Sequence, residues 1–139
     1  MRTDNLKFDM VNLGRYLKLK KLLDVFVFID KSHRPFEIVM LSSSSWKVFS
    51  SAVRSVEAYR TSGRLPKTFV HKITESMHLT IRRYANENIV ATLRSYKKQN
   101  CIKLGNNAWE ILVKICTKDT IKNENGEATL VEDMNKMKI

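Results

Sequence analysis

Few residues in this chain are of the kinds that staple, cradle or span. Two cysteines, Cys101 and Cys116, stand among 139 residues, both inside apolar stretches, too few for the disulfide framework of a small secreted domain. A reducing, intracellular setting is the expectation. Four glycines and two prolines leave no glycine-rich loop to wrap a phosphate, which argues against a nucleotide-dependent enzyme. His33, His71 and His78 have no partner at metal-ligand spacing, and Cys101 with Cys116 makes no zinc pattern, so neither metal nor cofactor is expected. The serines from Ser42 to Ser45 lack the glycine elbow that exposes a nucleophile, and no acid, base and nucleophile recur at a meaningful spacing. The chain reads as non-enzymatic. No apolar run is long enough to span a bilayer, and the start, with Arg2, Asp4 and Lys7, lacks the apolar stretch of a signal peptide. A soluble protein without a membrane partner is expected.

What the chain has is positive charge, unevenly placed. Lys and Arg number 25 against 14 Asp and Glu, a formal charge of +11 that favours a polyanionic partner, nucleic acid first. Between Arg60 and Lys103 ten basic residues face only Glu75 and Glu87, whereas Glu124, Glu127, Glu132 and Asp133 make the end of the chain acidic. Composition alone does not separate a binding face from a solvated one. Pattern has to.

The pattern is a repeat. Tyr16-Leu-Lys-Leu-Lys-Lys, Val25-Phe-Val-Phe-Ile-Asp and Glu37-Ile-Val-Met-Leu-Ser-Ser-Ser-Ser-Trp46 recur as His78-Leu-Thr-Ile-Arg-Arg, Ile89-Val-Ala-Thr-Leu-Arg and Asn100-Cys-Ile-Lys-Leu-Gly-Asn-Asn-Ala-Trp109, at an offset of 62 to 64 residues. In each copy a leucine, Leu41 or Leu104, stands five residues before the tryptophan. Leu17 and Leu19 alternate with Tyr16, Lys18 and Lys20, and Ile89, Ala91 and Leu93 with Thr92, Arg94 and Tyr96, the period-two grammar of strands with one basic, partly aromatic face. Phe8 to Leu13 and Thr68 to Thr74 supply a leading strand for each copy, and the segments 31–35 and 96–100 read as turns. Helices follow the third block of each copy. Ser42 to Ser45 offer caps for the first, and Asn107 with Glu110 resembles a capping box for the second. Trp46, Phe49, Val53 and Val56 form one apolar stripe, Trp109, Leu112, Val113 and Cys116 the other.

The expected fold is therefore α+β, two tandem repeats of four antiparallel strands followed by a helix, both within one compact unit. Residues 1–60 form the first repeat, 61–67 a linker, 68–122 the second repeat and 123–139 a frayed acidic tail, with a last turn of helix near Val131 to Met137.

Gly14-Arg15-Tyr16-Leu-Lys-Leu and Leu41-Ser-Ser-Ser-Ser-Trp46 resemble parts of the single-stranded-DNA-binding domain of the transcriptional coactivator positive cofactor four, and Ile102-Lys-Leu-Gly-Asn-Asn-Ala-Trp109 looks like a divergent second member. Whirly and purine-rich-element-binding repeats are related alternatives. The resemblance covers roughly residues 8 to 121. It implies curved four-stranded sheets whose helices pair, so that opposed grooves hold single strands. Here both copies lie on one chain, which implies an intramolecular pseudo-dimer, with further self-association left open. The family's serine-rich acidic leader has no counterpart, so regulation through one is not implied.

With repeat and resemblance taken together, phosphate contact is preferred to a merely solubilising face for Arg15, Lys18, Lys20, Arg82, Arg94, Lys97, Lys98 and Lys103. Tyr16 and Tyr96, flanked by cations, are the candidates for stacking on bases, ahead of Tyr84; Arg83 falls on the inner face or in a bulge. Phe26 and Phe28 lie on a strand apolar on both faces and are assigned to packing, as are Trp46 and Trp109 on their helix stripes. Sequence-tolerant binding of single-stranded DNA, or RNA, in transcription, replication or genome maintenance is the expected function, in a nuclear or other nucleic-acid-associated setting, cellular or viral. The alternative is a protein-interaction or structural module of a transcription, chromatin or virion assembly.

Overall fold

Apolar and polar residues alternating at period two build the strands, and the break in that rhythm before each tryptophan starts a helix. In the computed structural model, residues 10–86, 88–97 and 99–117 are described in full and 118–121 by their backbone. Phe8, Lys98 and the tail from residue 122, with the helical turn expected there, lie outside the described residues. The order is β1 (Met10–Asn12), β2 (Leu17–Leu22), β3 (Val25–Asp30), β4 (Glu37–Leu41), α1 (Ser43–Thr61), then β5 (Thr68–Thr74), β6 (Met77–Arg83), β7 (Ile89–Ser95), β8 (Asn100–Leu104) and α2 (Asn106–Ile121). Each group of four strands is an antiparallel meander in sequence order. The chain is thus an internally repeated α+β fold.

Helix α1 starts as its serines predict: the Ser45 backbone N–H donates to Ser42 Oγ at 3.2 Å, satisfying one of the amides that the first turn leaves free. Helix α2 departs from the expectation. It begins at Asn106, and the Trp109 N–H already donates to the Gly105 carbonyl, so Gly105 holds the cap position and the Asn107–Glu110 capping box does not form. Glu110 instead lies 3.9 Å from Arg60 of α1.

One core serves both halves. Phe26 stacks on Trp46 with ring centroids 4.2 Å apart, Phe28 meets Phe49 edge-on, and the same buried cluster continues through Leu79, Leu93, Ile102 and Trp109. The helices pack antiparallel across it. As position rises along α1 from Ser50 through Glu57 to Arg60, the partner falls along α2 from Cys116 through Trp109 to Asn106. Glu57 is shared, accepting from Trp109 Nε1 and from Arg60, each at 3.2 Å. Arg83 lies on the inner side, where its Nε donates to the Leu65 carbonyl and straps the linker to the second sheet.

The β2–β3 hairpin turns through Leu23, which has φ +58° and is 93% exposed. A branched aliphatic side chain there crowds its own backbone and gains no burial. Asn suits that conformation far better. Leu23→Asn is expected to raise unfolding free energy by about 1 kcal/mol in urea melts.

Candidate nucleic-acid interface

Registers across each sheet show which side chains share its outer face. On the second sheet the rows are Thr68–Arg82–Val90, Val70–Thr80–Thr92–Lys103 and Lys72–His78–Arg94–Cys101. On the first they are Leu22–Val25, Met10–Lys20–Val27–Met40 and Asn12–Lys18–Ile29–Ile38. Aligned row by row, the copies are offset by 60 residues on the first two strands, 65 on the third and 63 on the fourth, so His78 stands where Lys18 does rather than Tyr16. On β2 the slip is two residues, so inside and outside are unchanged there; on β3 it is one, and Val25 stands where Val90 does rather than Ile89.

The two faces carry different chemistry. Lys72, Arg82, Arg94 and Lys103 on the second sheet occupy the places of Asn12, Leu22, Ile29 and Met40 on the first. All four cations are exposed, around a central pair of threonines, Thr80 and Thr92. Lys97, also exposed, follows Arg94 in the turn after β7. Two carboxylates border the face: Glu75 in the β5–β6 turn, 2.9 Å from Lys72 Nζ, and Glu37, whose Oε1 accepts from the Cys101 backbone N–H at 2.9 Å. The hydrogen bond from Lys72, and then its charge, hold the Glu75 carboxyl below its ordinary range. This tie therefore persists at neutral and mildly acidic pH and is lost only as pH falls through the lowered value.

The expected binding residues thus divide. Arg82, Arg94, Lys97 and Lys103 come together on or beside the second outer face. Lys18 and Lys20 share the first outer face with aliphatic side chains, half-buried, and Lys18 donates to Asn12 Oδ1 at 2.8 Å. Arg15 and Tyr16 lie in the turn before β2, the guanidinium 5.9 Å from the ring centroid. The neighbours of that turn, Gly14 and Leu17, line a hollow of about 520 Å³ with Lys103, which brings it toward the second repeat. Tyr96 is 54% exposed and meets His78 edge-on at 5.2 Å, at one corner of the basic face. Phe26, Phe28, Trp46 and Trp109 are buried.

Lys72, His78, Thr80 and Thr92 were not among the expected contacts, although the alternation of their strands already puts them on the outer parity. Among the described residues no group of three or more His, Cys, Asp or Glu is placed to hold a metal ion, and no helix is long and apolar enough to cross a membrane. Compared with known proteins, the chain matches no family model, no curated protein and no solved structure.

Proposed function

We propose that this chain binds single-stranded nucleic acid, without strong sequence preference, along the outer face of its second sheet. The observation that carries the reading is the cluster of Lys72, Arg82, Arg94 and Lys103 on that face with Lys97 at its end. The four cations lie one on each strand, spread over three rows about 7 Å apart along the strands, a patch that an extended phosphate backbone can cross. Arg and Lys placed this way hold phosphates and displace condensed counterions, while the hydroxyls of Thr80 and Thr92 supply further donors. Tyr96 offers a ring at the edge of the track for an unpaired base. The resemblance to the positive cofactor four domain, with its strand-then-helix order and paired helices, supports the same reading, and DNA is its preferred ligand.

Fluorescence anisotropy with a labelled single strand and the matching duplex, at several salt concentrations, tests it. The single strand is expected to bind more tightly, with affinity falling steeply as salt rises; equal affinities for the two forms, or no salt dependence, would overturn it. A second reading, a protein-interaction module, is favoured by the aliphatic outer face of the first sheet, where Met10, Leu22, Ile38 and Met40 are exposed. Affinity for acidic proteins with none for oligonucleotides would support it instead.

A further inference from the structure

The described carboxylates leave the basic face largely unanswered. Glu57 and Glu110 lie against Arg60, Asp30 accepts from Ser32, and Glu37 holds the Cys101 backbone N–H where β4 runs beside β8. Glu75 answers Lys72 alone. Arg82, Arg94, Lys97 and Lys103 are exposed and have no carboxylate partner among the described residues. Like charges gathered on one sheet repel one another, so an anion that reaches this face lowers its energy.

The chain carries such anions itself, just past α2. Between Lys122 and Lys136 the sequence has Glu124, Glu127, Glu132 and Asp133 and no cation. Helix α2 lies on the inner side of the sheets, its Cys116 against Ser50 of α1, so these residues reach the outer face only around an edge. The distance is within their range. They stand three to twelve residues beyond Ile121, and twelve residues span up to about 40 Å, against a radius of gyration of about 13 Å for a unit of this size. A tether of that length holds its carboxylates near the face at an effective concentration on the order of 1 mM, which favours them over any weak anion in solution. We infer that the acidic stretch 124–133 docks on the outer face of the second sheet, against Arg82, Arg94, Lys97 and Lys103, and that a nucleic-acid strand must displace it to bind. The displacement rests on the proposed single-strand binding. The docking follows from charge and reach and is independent of it.

The test compares the full chain with a full-length variant in which Glu124→Gln, Glu127→Gln, Glu132→Gln and Asp133→Asn remove the charge and keep the length. In amide spectra of the isotope-labelled proteins at low salt, without nucleic acid, the four substitutions are expected to shift Arg82, Thr92, Arg94 and Lys103 and to leave Lys18, Lys20 and Lys47 in place. About 0.5 M salt is expected to erase the difference. The variant is expected to bind a labelled oligothymidylate about fivefold more tightly at low salt, and a peptide of residues 122–139 added in excess weakens that binding again. Shifts on the face when neither protein binds the oligonucleotide would keep the docking and remove the single-strand reading alone. Shifts on the face with equal affinities keep the docking and overturn the displacement. Unchanged amides on the face overturn the docking, and a gain in affinity without them assigns the effect to net charge.

Discussion

Replacing Arg82, Arg94 and Lys103 together with alanine is expected to weaken single-strand binding by about a hundredfold and to leave the fold intact. Each side chain is exposed on the second outer face, so its removal costs little stability. A phosphate contact of this kind is worth about 1 kcal/mol, and three correspond to roughly two decades of affinity. The salt dependence carries the sharper signature. Three fewer neutralised phosphates lower the slope of log affinity against log salt by about 2 for a single strand. A control variant removes the same charge elsewhere: Lys31, Arg34 and Lys47 are exposed outside the second repeat. It is expected to lose much less. Equal losses in the two variants would show that net charge, not this face, holds the strand.

Trp109→Ala is expected to cost about 3 to 5 kcal/mol, much of the stability of a domain this size. The indole is fully buried in the core shared by both repeats, and its Nε1–H donates to Glu57 on the opposite helix. Truncation therefore opens a cavity and also strips a half-buried carboxylate of one donor. Because β-sheet residues of both copies pack into one cluster, unfolding is expected to be a single cooperative transition, with tryptophan fluorescence and far-ultraviolet circular dichroism coincident in urea. Two separate transitions in wild type would mean that each repeat folds alone, and the helix seam would then contribute far less than its burial suggests.

The fold was legible because strand parity and helix stripes are local signals. Leu17 and Leu19, Leu79 and Ile81, and the two tryptophans all lie on the inner side where alternation puts them. Even the misalignment of the copies on β2 left inside and outside correct, since it was an even number of residues. The start of α2 was less legible. Asn107 and Glu110 have the composition of a cap, but the chain leaves β8 through Gly105 and turns helical two residues earlier than that cap would have it. The candidate site was half legible. Arg82, Arg94 and Lys103 could be placed on an outer face from their own strands, yet only cross-strand register reveals that Lys18 and Lys20 stand among Met10, Val27, Ile29 and Ile38. The seam between the two sheets was not legible at all: β4 meets β8 through a contact between segments about 60 residues apart that no periodicity encodes.

The antiparallel helix seam joins two halves that one polypeptide encodes separately. In an assembly of identical subunits every substitution is made twice, so both sheets must keep the same surface. Here Met40 and Lys103, or Ile29 and Arg94, occupy equivalent places and have parted ways without disturbing the hydrophobic interior behind them. A single chain is free of that symmetry: it carries a cationic surface and an aliphatic one side by side, and a chain made from the second half alone, paired with itself, would present the cationic surface twice.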